Sequence, residues 1–232
     1  MKKEVEFYNF PIELLRGVFS GETPKDEFLV NILKFHIYGK YLEMPYAEFD
    51  ETAQQRFSRC AKFWECAIPN EIVHSFFEDA ETIYNSLAHS RVKTGISISI
   101  FWQFLKEYKT EMEWNCLLAV LALKSLVMQR MYCKTTNNSF FARMNGFATI
   151  NEYLENGRYE LKEHRRRNLF IELQTNWNLK YYARHIDGFY FSFRMSKENL
   201  MKIAEEKKME NKKKRLQNEE KELLEKLRNQ KI

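Results

Sequence analysis

Arg165, Arg166 and Arg167 open a segment, RRRNLFIELQTNWN (165–178), rich in the side chains that hold phosphates and read base edges. A helix over about 164–177 turns about 100° per residue and gathers Leu169, Phe170, Leu173 and Trp177 on one side. Arg167, Asn168, Ile171 and Thr175 point the other way, with Arg165 at the edge and Gln174 at the margin. Arg166 falls near the apolar side, and Glu172 at the flank opposes an anionic ligand. Such a helix buries one stripe and offers the other, and its N-terminus itself attracts phosphate.

No other constellation is set up for chemistry. Cys60 and Cys66 are six apart, and Cys116 and Cys133 stand alone, which suits neither zinc pairs nor a disulfide framework. Buried reduced thiols are expected. The five histidines (His36, His74, His89, His164, His185) lack H-x3-H or H-E-x-x-H spacing. The acidic groups Glu78-Asp79, Glu81 and Glu111/Glu113 have no nucleophile or histidine beside them and read as solvated faces. Both GxGxxG and GxxxxGK[ST] are absent. Enzyme activity, metal and cofactor are therefore not expected.

Composition narrows the class further. The 232 residues carry +5, divided as −5 over 1–120, +6 over 121–194 and +4 over 195–232. An acidic first half joined to a basic second half suggests a polyanionic partner for one part only. Aromatic residues make up 15% of the chain against seven Gly and four Pro, which favours helical packing over a loop-rich scaffold. MKKEVEFYNF has no apolar leader, and the longest apolar run, Cys116 to Leu123, is too short to span a bilayer. An intracellular, cytoplasmic protein without membrane contact is expected.

The elements that position the arginines are a series of helices. Thr23-Pro24-Lys25-Asp26 predicts an N-cap, a first-turn proline and an acidic capping-box residue, opening a helix to about Leu42. Residues 51–65 and 70–89 read as amphipathic helices. ISISIFWQF (96–104) alternates like a strand before turning helical, and a helix is expected over 97–108. EMEWNCLLAVLALKSLVMQR (111–130) is the most apolar helix and should be central. Thr135-Thr136-Asn137-Asn138 offers N-caps for two turns over 140–145, and Gly146 stands where a left-handed residue is wanted.

Asp187-Gly188 between apolar runs predicts a hairpin with a type I′ turn. That loop pairs Ile186 with Phe189, Arg184 with Phe191 and Tyr182 with Phe193, a largely aromatic face that would pack on the helices. The opposite face pairs His185 with Tyr190, Ala183 with Ser192 and Tyr181 with Arg194, and should be polar and available. Residues 196–232 predict one charged helix that frays toward its end. Met209, Leu216 and Leu223 are in heptad register, but Lys213 and Glu220 interrupt the seam. A role in dimerisation or in lying along nucleic acid is open to it, and KKKR (212–215) would attract phosphate either way.

Apolar helix, short capped helix, basic helix and hairpin follow one another over about 110–195. In NNSFFARMNGF (137–147), RRRNLFIELQTNWN (165–178) and LKYYARHIDGFYFSF (179–193), that stretch resembles a winged helix-turn-helix DNA-binding domain. The resemblance implies a recognition helix in the major groove and a wing on backbone or minor groove. It assigns nucleic-acid contacts to Arg165, Arg167, Asn168, Gln174 and Thr175 on the helix, and to Lys180, Arg184 and His185 on the wing. Sixteen residues, 148–163, separate the second and recognition helices, so either an insertion lies there or a different helix precedes the recognition helix.

The expected protein is mainly α: a mildly acidic helical region (1–110), a winged-helix-like basic domain (111–195) and a charged helical tail (196–232). Double-stranded DNA is the expected partner, with a second copy or another protein on 1–110 or on the tail. The resemblance points to a regulator or replication protein of a bacterial or mobile element. The alternatives are a helical adaptor that binds no nucleic acid, and a single-stranded RNA binder stacking bases on Tyr181 and Tyr190.

Overall fold

In the computed structural model, residues 6–45, 51–156, 159–185 and 188–229 are described, with backbone alone at 184–185, 223–224 and 226–229. Phe7–Pro11 forms strand β1, and Ile12–Leu15 a single 3-10 turn. Helix α1, Lys25–Glu43, begins one residue later than its expected cap implies. Thr23 is occupied elsewhere: its hydroxyl donates to the Arg16 carbonyl (2.9 Å) and its amide to that of Gly17 (3.0 Å), closing the preceding turn. Pro24 therefore takes the N-cap position, with no side-chain cap.

Helix α2, Ala53–Phe63, starts in a capping box between Thr52 and Gln55, and α3 spans Val73–Leu87. Tyr38 and Tyr41 of α1 meet Phe57 of α2 and Phe77 of α3, with ring centroids 5.2–6.4 Å apart. The chain returns as β2, Lys93–Ser97, antiparallel to β1 with Tyr8 opposite Ile96. Helix α4, Ile98–Lys106, follows without a loop. The ISISI alternation thus belongs half to a strand and half to a helix.

Helix α5, Glu111–Val127, opens in a second capping box, Thr110 with Glu113, and is buried at eleven positions around its circumference. It leads into β3 (Cys133–Thr136), α6 (Asn137–Met144), α7 (Ile150–Glu155), α8 (Glu163–Asn176), β4 (Lys180–His185), β5 (Gly188–Ser192) and α9 (Lys197–Asn229). The strands form an antiparallel sheet in the order β3-β5-β4. The fold is mainly α with a small β part: nine helices and sheets of two and three strands among the described residues. No described helix is long and apolar enough to cross a membrane.

One hydrophobic core runs through residue 110. Trp114 of α5 meets Phe104 of α4 edge-on at 5.0 Å, and Thr94 of β2 donates to the Leu121 carbonyl of α5 at 2.7 Å. The expected 1–110 and 111–195 regions share this core.

Gly146 ends α6 as its position in the sequence predicts. At φ +77° it lets the Phe147 and Gly146 amides return to the Ala142 and Arg143 carbonyls. A Cβ there would also lie 2.5 Å from the Arg16 amide. Gly146→Ala should lower stability by more than about 1 kcal/mol, read as a shift in the urea midpoint.

His36 is 4% exposed between the rings of Tyr8 and Trp64, and its Nδ1 accepts from the Asn9 amide (3.1 Å). Burial lowers its pKa from 6.5 to about 4. The unfolded chain takes up this proton below pH 6.5 while the fold refuses it, so stability is intact above 6.5 and is lost as pH falls toward 4. The loss should be on the order of 3 kcal/mol. Urea titrations across that range should show it in the wild type and show it missing from His36→Gln; parallel pH profiles would contradict this.

Candidate nucleic-acid interface

Helix α8 is held from one side. Leu169, Phe170 and Leu173 are buried, and the Phe170 ring stacks on Tyr181 (4.5 Å) and contacts Phe140 (5.4 Å) and Phe189 (5.1 Å). These rings lock the helix against α6 and the inner face of the sheet. The opposite side is uncovered: Arg165, Arg167, Asn168, Ile171 and Thr175 are all exposed, as the helical periodicity predicts. Ile171, in the middle of that side, is 53% exposed.

The arginines divide as expected. Arg166 is half-buried near Tyr181, whose hydroxyl is raised by burial while the Arg166 charge opposes the rise. Arg165 lies 3.8 Å from Glu111, both side chains exposed, a contact worth little in water. Asn168, three residues on, neighbours it on the helix surface, and His164 and Arg167 are exposed on the same first turns. His164 directly precedes the arginine run, which is the sequence signal for its place here.

Gln174 and Thr175 lie toward the far end of the helix. The Gln174 amide donates to the Phe170 carbonyl and the Thr175 hydroxyl to that of Ile171, both at 3.0 Å. Lys180 stands beyond them at the start of β4, and its ammonium donates to Asn178 Oδ1 (2.7 Å). The fourteen residues of α8 span about 21 Å, so Lys180 and Arg165 mark opposite ends of the surface. The backbones of Arg184 and His185 close β4; their side chains and residues 186–187 lie outside the described residues.

The hairpin exists, but its register differs from the expected one. Tyr182 faces Tyr190 and Tyr181 faces Phe191, with an irregularity between Ala183 and His185. Gly188, expected in the turn, is the first residue of β5, close against β3: a Cβ there would lie 2.6 Å from the Thr135 carbonyl. Against the expected pairing of Tyr182 with Phe193 the shift is three residues, an odd number, which exchanges the faces of β4 alone: Tyr181 turns to the core beside Phe189 and Phe191, and Tyr182 turns outward beside Tyr190.

The outer face of the sheet, expected to be available, is covered by α9. β5 is the central strand and is buried along its whole length. Tyr190 packs beneath Leu200 and Ala204 of α9, and the Tyr182 hydroxyl donates to Glu205 (2.8 Å). Arg194, expected opposite Tyr181, instead donates to the Gln129 carbonyl at 3.1 Å.

The eighteen residues between α6 and α8 contain α7, capped by Thr149 and anchored by the buried Tyr153, whose hydroxyl donates to the Tyr159 carbonyl (3.3 Å). Glu152 pairs with Arg16 of the first half. Two helices, α6 and α7, thus precede α8.

The other candidate reactive groups do not come together among the described residues. All four cysteines are buried, and burial pushes the Cys60 thiol up to about 11 and Cys116 up to about 12, away from thiolate chemistry. Among the described residues no three His, Cys, Asp or Glu stand close enough to hold a metal ion. No family model matches the chain, and no curated protein or solved structure matches it either.

The geometry separates the two sides of α8 by experiment. Arg167→Ala and Asn168→Ala should each change stability by less than about 0.5 kcal/mol, whereas Phe170→Ala should cost about 3–5 kcal/mol. Urea midpoints measure both; a large loss at Arg167 would mean that the outer side is structural.

Proposed function

We propose that this protein binds duplex DNA through the outer side of α8, with the β4–β5 hairpin beside it as a wing. The observation that carries the reading is the uncovered polar side of α8. The helix is packed on one side only, and its opposite side presents Arg165, Arg167, Asn168 and Thr175 to solvent. The element order supports it in part: α5, α6, α8 and the β4–β5 hairpin follow one another as in the layout the sequence resembles, with α7 as an added helix before α8.

Arg165 and Arg167 would hold phosphates, while Asn168, Gln174 and Thr175 would meet base edges in the major groove. Gln174 would exchange its bond to the Phe170 carbonyl for a base. Lys180 would serve a flanking phosphate at the far end of the helix, and Arg184 and His185 the backbone beside the wing. A cytoplasmic regulator or replication protein of a bacterial or mobile element is the setting that goes with this reading, and residues 1–110 would serve a protein partner or second copy. Single-stranded RNA is less well served: Tyr190 is buried and one face of Tyr181 lies on Phe170.

A salt titration of binding to random-sequence duplex DNA tests the proposal, with wild type beside Arg165→Ala/Arg167→Ala/Arg184→Ala. Each lost phosphate contact should flatten the slope of log affinity against log salt by about one. Failure of the wild type to bind at low salt would remove the DNA reading.

A further inference from the structure

Helix α9 follows the outer face of the β3-β5-β4 sheet and then leaves it. Lys180, at the start of β4, pairs with Ser192, five residues before α9 begins at Lys197. Two residues along the strand, Tyr182 donates to Glu205 at 2.8 Å. The helix therefore travels in the same sense as β4, toward His185.

The end of β4 fixes which part of α9 lies beside it. At about 3.3 Å per residue, His185 is about 10 Å past Tyr182. At about 1.5 Å per residue the helix covers that distance in roughly seven residues, which brings Lys212 level with the end of the strand. Lys212, Lys213, Lys214 and Arg215 thus begin where β4 stops and continue outward.

Three of these four cations, Lys212, Lys213 and Lys214, form no salt bridge among the described residues. From Glu206 onward every described side chain of α9 is exposed. Arg215 is paired with Glu219 on the same helix, and Lys207 with Glu210. Successive residues advance about 100° around a helix, so the four charges form a collar rather than a stripe. A collar can neutralise backbone phosphates from any side, but cannot select a base.

We infer that Lys212–Arg215 form a phosphate-gripping collar beside the end of the hairpin, which engages duplex DNA flanking the segment under α8. This rests on the DNA-binding reading above. The sheet lies between the two contact surfaces, α8 on its inner face and α9 on its outer face, so the duplex would be held on both sides of the hairpin.

The test compares wild type, Lys212→Gln/Lys213→Gln/Lys214→Gln/Arg215→Gln and the α8 variant on the same duplex. Glutamine keeps helix propensity, and the substituted residues are exposed, so melting should be unchanged. The salt slope should flatten by up to about 3.6, at about 0.9 per lost contact, and affinity should fall equally for all sequences. Hydroxyl-radical protection should contract at one flank and persist under α8. If the α8 variant flattens the slope while the tail variant leaves slope or footprint unchanged, the collar is overturned and DNA binding stands. If the wild type binds no duplex, both fall together.

Discussion

Helix α5 has no polar side, and the rest of the structure follows from covering it. Trp114, Cys116 and the run from Leu117 to Leu123 are buried in every direction around the helix axis. An exposed stripe on such a helix would leave several leucines in water, each worth about 1.5–3 kcal/mol when buried. The two halves of the chain must therefore enclose it together. β2 and α4 come from the first half, and α6 and α8 from the second. Capping boxes at Thr52 and Thr110 and the Gly146 termination fix where helices begin and end, but the shared demand of α5 sets their mutual arrangement.

That demand also fixes which side of α8 is left over. Phe170 joins the helix to α6, β4 and β5 through ring contacts, so rotation about the helix axis would cost packing at three elements at once. The arginines, Asn168 and Thr175 remain outside as a consequence of this lock. A rigid helix with one free polar side is a sound base for recognition, because little conformational freedom remains to be lost on binding.

The sheet is used differently from α8. Its inner face belongs to the core and its outer face to α9, through Tyr182, Tyr190, Leu200 and Ala204. The helix that takes away the outer face supplies a run of cations in its place, carried to the level where β4 ends.

Much of this was legible in the sequence because it depends on near neighbours in the chain. Periodicity alone separated Leu169, Phe170 and Leu173 from Arg167, Asn168 and Thr175, since a helix fixes angular position by residue number. Gly146 was legible because a left-handed residue after a helix selects glycine. The hairpin's existence was legible from Asp187-Gly188, but its register was not. That register depends on β3 lying against Gly188 and on α9 covering Tyr190, contacts with segments that are remote or later in the chain. The Thr23 cap failed for a nearer reason: the Arg16 and Gly17 carbonyls, seven and six residues earlier, hold its hydroxyl and amide in a competing turn. Local sequence determined which residues form helices and which side of each is polar. Only the tertiary structure decided which polar surfaces stay in water, because that depends on what else must be buried against them.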